Sequence, residues 1–271
     1  MTQKPTDMRR TIEFLKERGE LLVVKGEADP IYEMAGIQKA LENGPTLLFE
    51  KIKGYPGVRG IGNIFSREER VAALFDVADH RRLKFKALEA MKNPIPPVIV
   101  AEGPCQEAVI KDNIDVMATL PIIKQTEDDA GRILGGGVIS ITEPWFPRGS
   151  DLSFKRMHFR GKDWGALHII KSSHLWYSAR EHKDENIPLT VNIGVPPAVM
   201  LMAAALTIHP IVPHGSDELG IAGALQGSPV ELCKAKTVDA YAIANSEWVI
   251  EGYCTPEMVW ECEAAERIGK E

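Results

Sequence analysis

The stretch that most constrains this chain is residues 149–174, GSDLSFKRMHFRGKDWGALHIIKSSH, where polar, chemically competent side chains sit within strand-forming sequence. Asp151 and Ser153 alternate with Leu152 and Phe154, the period at which side chains leave opposite faces of a β-strand. That alternation predicts a half-buried strand. A second apolar run at 164–170 ends just before Lys171-Ser172-Ser173-His174. The polar turn 160–163 between the runs reads as a hairpin connection, so Asp151 and His174 are expected to meet near its open end. An oxygen and a nitrogen ligand would then lie beside the permanent cation of Arg156. Such a set suits a divalent metal together with an anionic ligand.

A length of 271 residues allows two modest domains or one large one, and 44% hydrophobic with 26% charged residues is ordinary globular composition. The net charge of −6 argues against a nucleic-acid surface as the main business. No apolar run reaches the roughly 18 residues of a membrane span, and the start MTQKPTDMRR has no apolar signal core. A soluble, cytoplasmic protein is expected. The four cysteines, Cys105, Cys233, Cys254 and Cys262, form no C-x-x-C pair, so they are read as free thiols, mostly packed.

Residues 1–115 read as an N-terminal α/β domain: helices at 7–18, 31–41, 68–75 and 80–91, with extended pieces at 20–25, 46–49, 57–64 and 98–100. Ser66 and Glu69 have the spacing of a capping box. Beyond 115 the runs at 133–142, 152–160, 166–171 and 190–195 are β-branched and separated by glycine and proline, the pattern of a β-barrel or sandwich. Helices are expected at 176–183 and from 197 to 206. The fold class expected is α+β, with a second domain at 116–271. Gly135-Gly136-Gly137 lacks the spacing of a nucleotide-binding loop and predicts a bulge or a close approach of another chain segment. Residues 257–271 read as a helix or extended loop without a cap, as if the chain stopped inside a longer protein.

The sharpest candidate constellation is Asp151, His174 and Glu218. Two carboxylates and one imidazole suit Mn²⁺ or Mg²⁺ better than a thiolate zinc site; the competing reading makes each a solvated surface residue. Arg156 is either a bidentate clamp for a carboxylate or a salt-bridge partner of a nearby acid. His158, His168, His209 and His214 lack a helical partner four residues away, which excludes a zincin site, and no G-x-S-x-G supports a covalent hydrolase. Lys234 and Lys236 read as a solvated strand face.

Several motifs in order resemble the UbiD-like decarboxylases, which use prenylated FMN. They are Asp129-Ala-Gly131 with the glycine-led strand 133–142, Asp151-x-Ser153-x-x-Arg156-Met157, His174 after a matching interval, 192–198 (NIGVPPA), 217–227 (DELGIAGALQG), Pro229-Val-Glu-Leu and 247–252 (EWVIEG). The resemblance covers about 120–252 well and the N-terminal part more loosely. It implies a split β-barrel that binds the flavin, with Asp151, His174 and Glu218 on Mn²⁺, K⁺ as an optional companion, and the cofactor phosphate bridged to the metal. Asp151, Leu152, Ser153, Phe154, Lys155, Arg156, Ser173, His174 and Glu218 would line the cofactor, and Arg156 would be the catalytic residue that orients the substrate carboxylate. The implied activity is reversible, non-oxidative decarboxylation of an aromatic, more specifically hydroxyaromatic, acid, releasing CO₂. The implied partners are a flavin prenyltransferase as cofactor supplier, further copies in a homo-oligomer and other carboxylase subunits; no nucleic acid and no membrane are expected. The alternatives are a non-catalytic flavin- or metal-binding subunit and an unrelated split-barrel flavin reductase. Two departures stand out: Asp151 occupies a position where many relatives carry Asn, and Glu261, Glu263 and Glu266 lack the context of the family's proton-donating glutamate. That acid and a C-terminal domain are expected beyond residue 271 or absent.

Overall fold

Asp7, in extended conformation, accepts a hydrogen bond from Arg10 N at 2.7 Å and so starts helix α1 (Met8–Glu17) where the sequence places it. The computed structural model describes residues 4–142, 145, 149–171, 173–205, 212 and 215–260. After α1, strand β1 (Leu21–Ala28) runs parallel to β2 (Thr46–Ile52) across helix α2 (Glu33–Ala40), and β3 (Gly60–Gly62) pairs antiparallel with β2. Helix α3 (Glu68–Leu74) follows, but the expected capping box does not form. Arg67 occupies the cap position without a side-chain bond, and Ser66 Oγ instead donates to Asn63 O at 3.0 Å. A 3₁₀ turn at His80–Arg82 then leads into α4 (Leu83–Lys92).

Strand β4 (Val98–Val100) runs parallel to β10 (Glu231–Lys234), which pairs antiparallel with β11 (Tyr241–Ile243). Residues 98–100 thus join a sheet made otherwise from the second half of the chain. The short helix α5 (Val116–Thr119) precedes the central sheet, whose order is β12-β9-β5-β6: β5 (Val138–Thr142), β6 (Ser150–Phe154), β9 (Ile187–Ile193) and β12 (Trp248–Cys254). Its neighbours are all antiparallel, with Ile141 opposite Asp151 and Ile139 opposite both Ser153 and Val191. Gly137 enters β5 where a Cβ would lie 2.6 Å from Val191 Cγ1, so this glycine marks a close approach of β9.

The expected hairpin exists but is smaller, formed by β7 (Met157–Phe159) and β8 (Gly165–Leu167). β6 is not one of its arms; it pairs with β5. Nor is β6 half-buried. Asp151, Ser153 and Lys155 are as buried as the apolar Leu152, because α7 (Pro197–Ala203) and α8 (Glu218–Gln226) pack with Leu152 in the main core while the polar side meets the starts of α6 (His174–Glu181) and α8. The architecture is mixed α+β, and among the described residues the sheet is not closed into a barrel. Cys105, Cys233 and Cys254 are free thiols. Lys234 and Lys236 pair with Asp239 and Glu102 on the surface, Cys262 and most of 206–214 lie outside the described residues, and among those described no helix is long and apolar enough to cross a membrane.

The sheet that carries β6 is tied together by the buried Asn192 of β9. Its Nδ2 donates to Val138 O at 3.2 Å and Thr190 Oγ1 at 2.9 Å, while its Oδ1 accepts from Ile243 N at 2.9 Å. Removing the amide leaves those backbone groups unsatisfied in the interior. Asn192→Ala is expected to destabilise the protein by about 2–3 kcal/mol, read as a lower urea midpoint at unchanged slope.

Candidate metal and anion site

Strand alternation sends Asp151, Ser153 and Lys155 to one side of β6 and Leu152 and Phe154 to the other. Leu152 packs into the main core, and Phe154 also lines a largely apolar cavity of about 940 Å³ beside the N-terminal segments. The polar side faces the start of two helices. Ser173 caps α6, accepting from Trp176 N at 3.2 Å, which sets His174 at the first helical position. Glu218 opens α8.

These elements bring Asp151, His174 and Glu218 together, with a ligand atom from each within 4.8 Å of the others. His174 Nδ1 lies 3.2 Å from Glu218 Oε1 and 3.5 Å from Asp151 Oδ1. Its Nε2 sits 3.2 Å from the Val212 carbonyl, which can only accept, so that nitrogen carries the hydrogen and Nδ1 faces the acids. Leu152 N donates to Glu218 Oε2 at 2.7 Å, and Ser153 Oγ donates to Asp151 Oδ2 at 3.3 Å. All three residues are buried, so the reading of them as solvated surface residues is excluded.

Burial by itself would lower the His174 pKa, but the hydrogen bonds that the imidazolium donates to Asp151 and Glu218 outweigh it and raise it to about 9. Burial pushes the Glu218 carboxyl up to about 7, against the pull of His174 and the Leu152 N–H. The imidazolium therefore stands where a cation is wanted. A divalent ion of the hard, oxygen-preferring kind can take its proton's place with Nδ1 and two carboxylate oxygens as ligands.

Lys155 completes the site. Only 3% exposed, its Nζ has no hydrogen-bond partner among the described residues. Burial holds its pKa below the usual lysine value, and Asp151 and Glu218 offset that only in part. With the two carboxylates offset by a divalent ion, this ammonium is left to face an anion. Continuing the alternation of 151 and 153 by one step marks Lys155 as part of this face. The Val212 carbonyl and the Leu152 N–H carry no sequence signal, because any residue supplies them. Arg156 lies just past β6, is solvent-exposed and lines neither the ion site nor the large cavity.

Comparison with known proteins places this chain in a family. The model of the 3-octaprenyl-4-hydroxybenzoate carboxy-lyase Rift-related domain, UbiD, matches residues 98–270, and the N-terminal domain model of the same enzymes matches 12–87. The chain belongs to the UbiD family. It is 30% identical over 275 residues to gallate decarboxylase of Lactiplantibacillus plantarum, covering 94% of this chain and 55% of that protein. Its structure is similar to that of the UbiD-class enzyme HmfF from Pelotomaculum thermopropionicum in complex with prFMN, with a TM-score of 0.86, 32% identity, and 93% and 58% of the two chains covered. It is also similar to the 3,4-dihydroxybenzoic acid decarboxylase AroY of Klebsiella pneumoniae, with a TM-score of 0.83, 27% identity, and 93% and 55% covered. The chain spans about half the length of the curated relatives it matches.

Because the metal-binding form of His174 is deprotonated at Nδ1, binding must release a proton at any pH below about 9. Mn²⁺ affinity is therefore expected to rise with pH, by up to about tenfold per pH unit for each proton displaced, and to level off above about 9. Calorimetric titration in buffers of different ionisation enthalpy measures both the affinity and the released proton.

Proposed function

We propose that this chain supplies the cofactor-holding part of a reversible, non-oxidative decarboxylase of aromatic, more specifically hydroxyaromatic, acids, working with prenylated FMN and Mn²⁺. The observation that carries the proposal is the buried set Asp151, His174 and Glu218, with the Lys155 ammonium beside it lacking a hydrogen-bond partner among the described residues. The donor set fits a hard divalent ion, and the ammonium fits the phosphate of a flavin mononucleotide. Family membership and the activities named for the gallate and 3,4-dihydroxybenzoic acid enzymes support the substrate class.

In this reading Asp151, His174 and Glu218 would hold the metal, and Lys155 would face the cofactor phosphate. Leu152, Ser153, Phe154 and Ser173 line the flavin. Arg156 is the catalytic residue: its planar, permanently charged fork holds the substrate CO₂⁻ in place until the bond to the ring carbon breaks. When bound, prenylated FMN supplies the sink for the electrons left behind as CO₂ departs. The finer family features belong to the same proposal: a split β-barrel, a domain boundary near 115, K⁺ as an optional companion ion, a homo-oligomer with other carboxylase subunits as candidates, cytoplasmic location and a flavin prenyltransferase as cofactor supplier.

Co-expression with a flavin prenyltransferase in the presence of Mn²⁺ is expected to yield a protein with a modified-flavin absorbance that releases CO₂ from hydroxyaryl acids. A chromophore without CO₂ release from any aryl acid would leave the alternative, a binding subunit. Lys155→Met is expected to keep Mn²⁺ affinity while weakening FMN binding about tenfold, measured by quenching of flavin fluorescence. Arg156→Ala is expected to retain cofactor and slow decarboxylation by about 10²-fold or more, and an unchanged rate would remove Arg156 from the mechanism.

A further inference from the structure

Each acidic ligand of the cation site is preceded in sequence by a residue of a second pair: Ser150 before Asp151, and Asp217 before Glu218. These two preceding residues touch. Ser150 Oγ donates to Asp217 Oδ1 at 2.8 Å and accepts from Leu219 N at 2.9 Å. The two backbones form an isolated parallel bridge at the same positions. Glycines make room on both sides. A Cβ on residue 149 would lie 2.8 Å from Ser216 O and 2.9 Å from Asp217 N, and a Cβ on residue 220 would collide with Asp217 Oδ2. Asp217 stands at the N-cap position of α8, yet its side chain makes no capping bond; the carboxylate reaches Ser150 instead.

We propose that Ser150 and Asp217 form a latch that sets the separation of the two metal-binding carboxylates. The proposal rests on the reading of Asp151, His174 and Glu218 as a cation site. β6 and α8 each deliver one carboxylate, from positions 67 residues apart for the latch pair, so nothing local in the chain fixes their distance. The Leu152 N–H orients one oxygen of Glu218. The latch anchors the backbone that carries both acids, directly beside each of them. The two acids converge on the site from separate elements, so any slack between β6 and α8 moves one carboxylate relative to the other. A hydroxyl bonded at once to a side chain and to the backbone N–H of residue 219 removes that slack. Ser150 and Asp217 are positioning residues: neither is a ligand in this arrangement.

The test is Mn²⁺ titration of metal-stripped protein by calorimetry, with the Mn²⁺ electron paramagnetic resonance spectrum and thermal unfolding recorded in parallel. Ser150→Ala and Asp217→Ala are expected to weaken Mn²⁺ binding about tenfold or more and to broaden the Mn²⁺ spectrum, as the loss of partners behind metal ligands typically does. Asp217→Asn keeps an acceptor oxygen for the Ser150 hydroxyl and is expected to stay within about twofold of the parent. Gly220→Ala offers a separate check that does not depend on removing a polar group. Alanine favours the helix, so melting should not fall for reasons of propensity, while displacement of the Asp217 carboxylate should weaken Mn²⁺ binding. Parent-like affinity in both alanine variants at positions 150 and 217 overturns the latch. So does an Asp217→Asn variant as weak as Asp217→Ala, which would assign the effect to charge. A parent that binds no Mn²⁺ at all overturns the cation reading and the latch with it, and is told apart by that first titration.

Discussion

An imidazole held between two carboxylates, all three out of contact with water, is the interaction around which the second half of this molecule is arranged. Ionised groups are costly to bury unless they neutralise one another, and here His174 does so for Asp151 and Glu218. The same balance can be struck by a divalent ion in place of the proton. The fold must therefore bury a strand on both faces while lining one face with acid and base. It does so by packing α6, α7 and α8 against β6 and by starting two of these helices at His174 and Glu218. The three groups are held by two helix starts and a strand rather than by loops, which fixes where they stand.

β6 also divides two chemically different spaces. Its polar face closes a small, charged site; Phe154 on its opposite face borders an apolar cavity of about 940 Å³. The first offers charged groups and the second apolar surface, so this strand sorts the two by the alternation of its side chains alone. Lys155 belongs to the polar face, Arg156 to neither, and that one-residue step separates a buried ammonium with no hydrogen-bond partner among the described residues from a guanidinium at the surface.

Much of the N-terminal part was legible because its signals are local. Asp7 caps α1, and the apolar runs at 46–49 and 98–100 became strands. The capping box at Ser66 failed because Ser66 Oγ donates to Asn63 O and accepts from the buried guanidinium of Arg70, so the helix starts without it. In the second half the alternation at 151–154 correctly announced a strand, but its partner was misread. A hairpin is the nearest partner in sequence; β5 is the one that lets β6 sit at the end of a four-stranded sheet under the helices.

Residue chemistry and order were enough to single out Asp151, His174 and Glu218 and to point to the UbiD family, since both depend on which side chains occur and in what succession. Burial could not be read that way. The polar period of β6 looks the same whether its far side meets water or helices, and a backbone carbonyl such as Val212 O has no identity in the sequence. The pairing of Ser150 with Asp217 and the burial of the Lys155 ammonium likewise arise only when segments distant along the chain are packed together, because the energy of a buried charge is set by its neighbours in space.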